Sequence, residues 1–450
     1  MLLLAVIACR EPEYIDPPGD RSPSESATPE STADSVPPTA GEWSDPIVGL
    51  GEMDVVNNGM ELTDAALGGD WLYLSGQQQQ GQGGLWVVDL ADPTAPTQVA
   101  QGNFRNMQYV CYDETTAWGI SRNNNLMRAT VQDSSLQVKS WSVDSGGDID
   151  CDADHVAWAA RTDGVYIMAN DGDWNTGEAL NLEGDWRGVL LSEDVIWTAG
   201  VGEIARWDMD GNLLGEAAVD GWCQDMQVSD GTLAVACGAD GVHLLNAEDL
   251  SLLGTWSGHV SARTVAWDGH RIWLAAWSEL LLLDASDPAA VTLIGSEPAT
   301  SSVMGVVADG EGLAWVADWR NPFTVRRDDV LSPEARVSPS NAVPGDRVSL
   351  INDGPETLWF EAPELGVTPQ LLGPGERTAI DIPEDFEYAR VPILTDDPDE
   401  SEVEIEIGSM SGLALGEAAP DFAEYDLEGT LWELQSLRGE VVWLATFNDG

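Results

Sequence analysis

The sequence predicts an all-β protein, and three observations carry the prediction. A short strand with Trp near its middle recurs from Trp71 to Trp315. Acidic and Gly-containing turns, such as Ser229-Asp230-Gly231 and Asp268-Gly269-His270, separate strands at hairpin spacing. No segment sustains a helical period, so an α/β reading fails.

The recurrent strand reads Asp70-Trp71-Leu72-Tyr73-Leu74, Ala117-Trp118-Gly119-Ile120, Val156-Ala157-Trp158-Ala159-Ala160 and Val195-Ile196-Trp197-Thr198-Ala199. It continues as Thr232-Leu233-Ala234-Val235-Ala236, with Ala in the Trp slot, then Arg271-Ile272-Trp273-Leu274-Ala275 and Leu313-Ala314-Trp315-Val316-Ala317. From Trp71 the copies step by 47, 40, 39, 37, 39 and 42 residues, the length of a four-stranded propeller blade. An apolar strand such as Met226-Gln227-Val228 precedes each turn. A third strand often ending in Asp follows the repeat, as in Leu280-Leu281-Leu282-Leu283-Asp284, and then a less regular outer strand. One such sheet buries too little to stand alone. Stacked radially, each covers its neighbour's apolar face, with Trp and Leu filling the wedge. Residues 45–330 are therefore expected to form a β-propeller of about seven blades. The strand near residues 47–56 is expected to close the ring by pairing with the last blade. The six Trp at the shared position are assigned to the core, and Trp174, Trp186, Trp222, Trp277 and Trp319 to a rim.

The strings Gly84-Leu85-Trp86-Val87-Val88-Asp89-Leu90-Ala91-Asp92-Pro93 and Leu282-Leu283-Asp284-Ala285-Ser286-Asp287-Pro288 resemble the LVIVD repeat of bacterial surface and choice-of-anchor propellers. The resemblance spans roughly residues 45–330. It departs from the pattern at Ala205-Arg206-Trp207-Asp208 and at Asn321-Pro322-Phe323-Thr324-Val325.

Residues 1–8 are wholly apolar and end in Ala8, directly before Cys9. They are too short to span a bilayer, which needs about 20 residues. Val6-Ile7-Ala8-Cys9 resembles the bacterial lipobox, though no basic region precedes it. The resemblance implies lipidation of Cys9 after cleavage of a signal that starts upstream of Met1, and Arg10 in place of Asp implies the outer membrane. Residues 10–44, Pro among Ser, Thr, Glu and Asp, have nothing to bury and predict a disordered tether. An outer-membrane lipoprotein in the periplasm or on the cell surface is the expected setting.

Residues 331–410 alternate short apolar runs with Pro/Gly turns and close on the period-two run Val403-Glu404-Ile405-Glu406-Ile407, which suits a small β-sandwich. Asn352-Asp353-Gly354 and Thr395-Asp396-Asp397-Pro398 resemble signatures of an immunoglobulin-like family of cilia-associated and bacterial surface proteins, whose domains space or dock others. In residues 411–450, Gly416-Glu417-Ala418-Ala419-Pro420-Asp421-Phe422, Asp426-Leu427-Glu428-Gly429 and Leu437-Arg438-Gly439-Glu440-Val441-Val442-Trp443-Leu444-Ala445-Thr446-Phe447 resemble the start of redoxin and thiol-peroxidase domains of the thioredoxin fold. The resemblance implies a reactive Cys at a helix N-terminus a few residues beyond that strand. The segment is thus expected to be an incomplete thioredoxin-like domain whose active site lies past Gly450, with Glu440 replacing the usual Lys.

Acidic residues number 78 against 19 basic ones, a formal net charge of -59. Such a surface repels phosphate backbones, so nucleic acid is excluded as a partner. The charge suits solubility in a saline medium or recognition of a cationic partner. Cys223 and Cys237 flank Asp230 symmetrically and suit a disulfide; Cys111 and Cys151, each seven residues before a repeat Trp in neighbouring blades, are candidates for a bridge, although adjacent inner strands need not bring their Cβ atoms together, and free buried thiols are the alternative. None has CxxC spacing. His155, His243, His259 and His270 have no metal-ligand spacing and are assigned to the surface. Asp148-Ile149-Asp150-Cys151-Asp152-Ala153-Asp154 superficially suggests calcium but lacks the Gly and bidentate Glu of an EF-hand loop. No catalytic, cofactor-binding or metal residue is assigned within the chain, and no cofactor is expected. The functional expectation is a lipid-anchored propeller scaffold, binding a protein or surface polymer at its rim, joined to a thiol oxidoreductase domain. The alternative is a structural or adhesive surface lipoprotein without enzymatic activity.

Overall fold

The computed structural model describes most of residues 39–408, apart from loop segments of which 171–178 is the longest, and the strands at 2–9, 423–425, 431–433 and 441–448. Among the described residues helix is confined to one 3-10 turn, Pro363–Leu365. The apolar end segments Leu2–Cys9 and Val441–Asn448 pair antiparallel, and Ala423–Tyr425 pairs with Leu431–Glu433 as a short hairpin. Strands with unpaired backbone take whatever edge is offered. The side chains of these four strands, and residues 10–38 of the 10–44 segment expected to be a disordered tether, lie outside the described residues. Near the end of that segment the Gly41 N–H and the Trp43 Nε1–H both donate to Asp396 Oδ2.

Met60–Gly68, Trp71–Gln78, Gly83–Asp89 and Thr97–Phe104 form the first four-stranded antiparallel sheet, in sequence order. The pattern repeats with inner strands at Met107–Tyr112, Asp148–Cys151, Trp186–Ser192, Asp225–Ser229 and Thr264–Asp268. Two strands serve twice. Val195–Asp208 is both second and third strand of the fourth sheet, changing partner from Trp186–Ser192 to Leu213–Trp222. Thr292–Ala308 is the outer strand of the sixth unit and, from Val303, the inner strand of the seventh. The described residues thus form seven four-stranded units. Each inner strand touches the next, and that of the seventh touches Met60–Gly68 of the first. Ile47–Glu52 pairs with Phe323–Arg327 as the seventh unit's outer strand, so chain from before the first blade closes the ring.

Trp fills the wedges between units. Trp118 and Trp158 meet between the second and third, Trp197 lies between the fourth and fifth, Trp273 between the sixth and seventh, and Trp315 with Trp86 between the seventh and first. All are buried. Two positions correct the alignment by Trp. Gly68 pairs with Trp71 as Ser229 pairs with Thr232, so Tyr73, not Trp71, holds the slot of Ala234 and Trp273. Trp71 is half-buried at the strand's start. In the third unit Ala157 takes the slot and Trp158 points to the opposite face. A one-residue offset reverses the side chain, and it is tolerated because both faces of a blade are covered. Trp186, expected at the rim, is buried between the third and fourth units, edge-on to Trp207.

Asp230 and Gly231 both have positive φ, 44° and 75°, as a two-residue hairpin turn matching strand twist requires. The hairpin axis therefore falls between them, which sets Cys223 and Cys237 diagonal rather than directly opposite. They are nevertheless joined, with Cα atoms 3.8 Å apart. Cys111 and Cys151 link the inner strands of the second and third units. Their loops span 14 and 40 residues, so loss of each bond is expected to cost about 3 and about 4 kcal/mol respectively, chiefly by freeing the unfolded chain. Urea denaturation of Cys223→Ser/Cys237→Ser and Cys111→Ser/Cys151→Ser variants reads this directly; unchanged midpoints would contradict it.

The second module has two sheets. Ala335–Ser338, Arg347–Asn352 and Arg377–Asp381 face Asn341–Ala342, Glu402–Ile407, Ala389–Thr395, Leu358–Ala362 and Val367–Leu372. One core, including Val348, Leu350, Phe360, Val391 and Ile405, lies between them. The two sequence signatures converge on the segment arriving from the propeller. Asn352 Oδ1 accepts the backbone N–H groups of Glu334 and Gly354, while its Nδ2 donates to the carbonyls of Glu356 and Leu372. Asp397 Oδ2 accepts the Ala335 N–H at 2.6 Å. Gly354 permits the approach, since a Cβ there would lie 2.5 Å from the Glu334 nitrogen.

Candidate functional site: the channel mouth

The inner strands carry a repeated polar device. Asp64, Asp148 and Asp225 each stand seven residues before the first residue of the following strand, Trp71, His155 and Thr232. Each carboxylate reaches the next blade: Asp64 Oδ2 accepts the Val110 N–H at 2.9 Å, Asp148 Oδ2 that of Val189 at 3.0 Å, and Asp225 Oδ2 that of Val265 at 2.7 Å. Asp150 does the same for Leu191, Gln227 for Trp267 and Thr264 for Val306. An inner strand has no ladder partner on its channel side, so these acceptors satisfy N–H groups that would otherwise be orphaned.

The device fills the channel with acid. Burial pushes the Asp64 and Asp225 carboxyls up to about 7 and that of Asp150 to about 6, against the backbone N–H groups that favour ionisation. The Asp148 carboxyl is likewise raised well above its ordinary value by burial, with Asp225 and Asp64 adding like charge. Arg263 and Tyr109 join them in a cavity of about 250 Å³. Burial lowers the pKa of the Arg263 guanidinium, and the nearby Tyr109 and Asp64 offset that shift.

Outer-to-inner and second-to-third strand connections share one face in this topology, and that face gathers aromatic rings and arginines. The Arg187 guanidinium lies 4.1 Å from the Trp222 ring, and Arg263 lies 5.4 Å from Trp277. Trp277 meets Trp319 edge-on at 6.2 Å. Trp222 and Trp277 are 53% and 43% exposed, whereas every other described Trp is buried or half-buried. Trp277 is also held at φ 65°, a conformation costing about 1–3 kcal/mol for a non-Gly residue and concentrated at functional sites. The Nε of both arginines is buried without a partner. Chemically, the rim offers flat apolar faces for stacking beside cationic donors.

The rim assignment thus holds for Trp222, Trp277 and Trp319, while Trp174 lies outside the described residues. The acidic run Asp148–Asp154, to which no metal is assigned, makes internal hydrogen bonds: Asp148 and Asp150 accept from Val189 and Leu191, and Asp152 caps its own turn through the N–H groups of Asp154 and His155. His243 is buried, not superficial, with its ring nitrogens 2.9 Å from Thr255 Oγ1 and 3.0 Å from the Asp220 carbonyl. His155 is half-buried and His270 exposed; His259 lies outside the described residues. The channel carboxylates went unassigned, although their constant offset from the repeat strand was a readable signal.

The model of the LVIVD repeat matches residues 63–102 and 261–297, the first blade and most of the sixth. Among solved structures, the chain is similar to a chain in a crystal structure of the mitotic checkpoint complex, with 12% identity and a TM-score of 0.51, covering 69% of this chain and 99% of that one. It is also similar to the WD40 β-propeller domain of Doa1, with 13% identity and a TM-score of 0.51, covering 63% and 98%. These likenesses show a β-propeller fold. No curated protein matches.

Proposed function

We propose that this chain is an exported lipoprotein, tethered through Cys9 to the outer membrane, whose propeller binds a protein or surface polymer across its channel mouth. In this reading the C-terminal segment opens a thioredoxin-like thiol oxidoreductase domain that continues past Gly450. The observation that carries the binding role is the gathering of Trp222, Trp277 and Trp319 with Arg187 and Arg263 on one face of a chain with only 19 basic residues. Two disulfides favour an oxidising compartment. Cleavage before Cys9 would remove residues 2–8 and with them the pairing to Val441–Asn448, freeing that strand for its own domain.

Trp222→Ala and Trp277→Ala should each weaken retention on isolated envelope polysaccharide or protein fractions by about tenfold or more, with melting temperature unchanged. Equal retention would refute the rim as binding face. For the redox half, the gene product extended beyond Gly450 should consume peroxide or reduce insulin while the 450-residue chain does not. Inactivity of both would favour the purely adhesive alternative.

A further inference from the structure

Where the propeller meets the sandwich, three carboxylates converge. Glu334 comes from the connecting segment, and Asp397 and Asp399 from the loop between Ala389–Thr395 and Glu402–Ile407. An oxygen of each lies within 4.8 Å of the others. Glu334 and Asp397 are nearly sealed from solvent, at 4% and 1% exposure. Each spends one oxygen on protein: Glu334 Oε1 accepts the Ser296 hydroxyl at 2.6 Å, and Asp397 Oδ2 accepts the Ala335 N–H at 2.6 Å. The second oxygen of each, Glu334 Oε2 and Asp397 Oδ1, and both oxygens of Asp399 are buried without a hydrogen-bond partner of normal geometry, the nearest polar groups of Asp397 and Asp399 being each other's carboxyls and the Asp399 N–H. Among the described residues no arginine or lysine forms an ion pair with them: Arg336 and Arg377 line the adjoining cleft of about 700 Å³, and Arg336 is bound instead to Asp353 at 2.6 Å. Glu400, Asp45 and Glu297 add further negative charge nearby.

Buried like charges at this range cannot all ionise alone. One proton shared between Asp397 and Asp399 would satisfy a single pair of oxygens and leave Glu334 Oε2 unpartnered. A divalent ion would satisfy all of them. The donor set is carboxylate oxygen throughout, which suits a hard cation rather than zinc. A carboxylate set at the edge of an open cleft suits calcium, which takes six to eight flexible oxygen ligands, better than octahedral magnesium.

We infer that Glu334, Asp397 and Asp399 hold a calcium ion that fastens the β-sandwich to the propeller. The ligands tie three pieces of chain together: the sixth blade through Ser296, the connecting segment through Glu334, and the sandwich loop through Asp397 and Asp399. The sequence hides the site because Glu334 stands more than 60 residues from its partners.

The test uses the purified 450-residue chain, stripped with EGTA and titrated calorimetrically with CaCl₂ and separately with MgCl₂, in salt high enough to screen the surface charge. One saturable calcium site per chain is expected, with magnesium weaker, and calcium should raise the melting temperature by several degrees. Asp399→Asn, and independently Glu334→Gln, should weaken calcium binding by about tenfold or more. Each should also raise the melting temperature of the metal-free protein, because it removes one of the repelling charges. Two results would overturn the inference: the same melting temperature in EGTA and in millimolar calcium, which would mean a shared proton, or calcium binding that neither variant weakens, which would place the ion on the acidic surface.

Discussion

Deletion of residues 1–53 is expected to unfold the propeller rather than trim it. Ile47 is fully buried among Trp273, Leu280, Leu282 and Ile294, between the sixth and seventh blades. Its strand supplies the ladder partners of Phe323–Arg327, and flanking bonds run from the Asp328 N–H to the Pro46 carbonyl and from the Met53 N–H to the Pro322 carbonyl. Without it the seventh sheet has an open apolar edge, and the ring can splay at a single interface. Burial of one Ile is worth about 2–5 kcal/mol in a truncation to Ala. Loss of the whole strand therefore approaches the 5–15 kcal/mol that typically separates a folded domain from its unfolded chain. Ile47→Ala should lower unfolding free energy in urea by about 2–5 kcal/mol, while the deletion should yield aggregated or unfolded protein. A deletion variant with an unchanged urea midpoint would show that the ring closes by other means.

The second large effect concerns pH. Asp64 and Asp225 have carboxyls raised to about 7, and Asp150 to about 6, from an ordinary value of 3.8. The folded state thus binds protons more tightly than the unfolded chain does. The stabilisation is fully present below the unfolded value near 4 and is lost as pH rises through about 6 to 7. Each group contributes at most about 1.4 kcal/mol per pH unit across that window. Asp113 works in the other direction: although burial opposes it, donation from Asn170, Thr115, Thr116 and Trp118 holds its carboxyl well below the usual range, so its contribution fades only on strong acidification. Stability should therefore be greater at pH 5.5 than at pH 8, measured in high salt to remove the surface contribution of the net charge. Asp64→Asn and Asp225→Asn keep an oxygen to accept the Val110 and Val265 N–H groups, and should flatten the slope while raising the melting temperature at pH 8. A slope unaffected by either substitution would place the proton uptake elsewhere.

The architecture was legible because its determinants are local and repeated. Turns such as Asp230-Gly231 mark hairpins, and the Trp spacing sets the blade length. The apolar run at Ile47 has no partner nearby, so pairing with the far end of the ring was its natural fate. Register was less legible. A strand covered on both faces carries no alternation to show which face a Trp occupies, so Trp71 and Trp158 were aligned by identity when Tyr73 and Ala157 hold the slot. The candidate site was legible as a set of leftover Trp residues, but Trp186 and Trp277 could not be told apart without the backbone: one completes a wedge, and the other is held outward at positive φ. The junction carboxylates were the least visible, since only the folded linker brings Glu334 to Asp397 and Asp399.

Hydrogen exchange followed by mass spectrometry tests the central claim, a ring closed by its N-terminal strand, most directly. Peptides covering Ile47–Glu52 and Phe323–Arg327 should exchange together and as slowly as the inner strands at Thr264–Asp268 and 303–308, because opening any of them opens the ring. Exchange at Ile47–Glu52 that is orders of magnitude faster than at Phe323–Arg327 would contradict the closure and leave an open array of blades in its place.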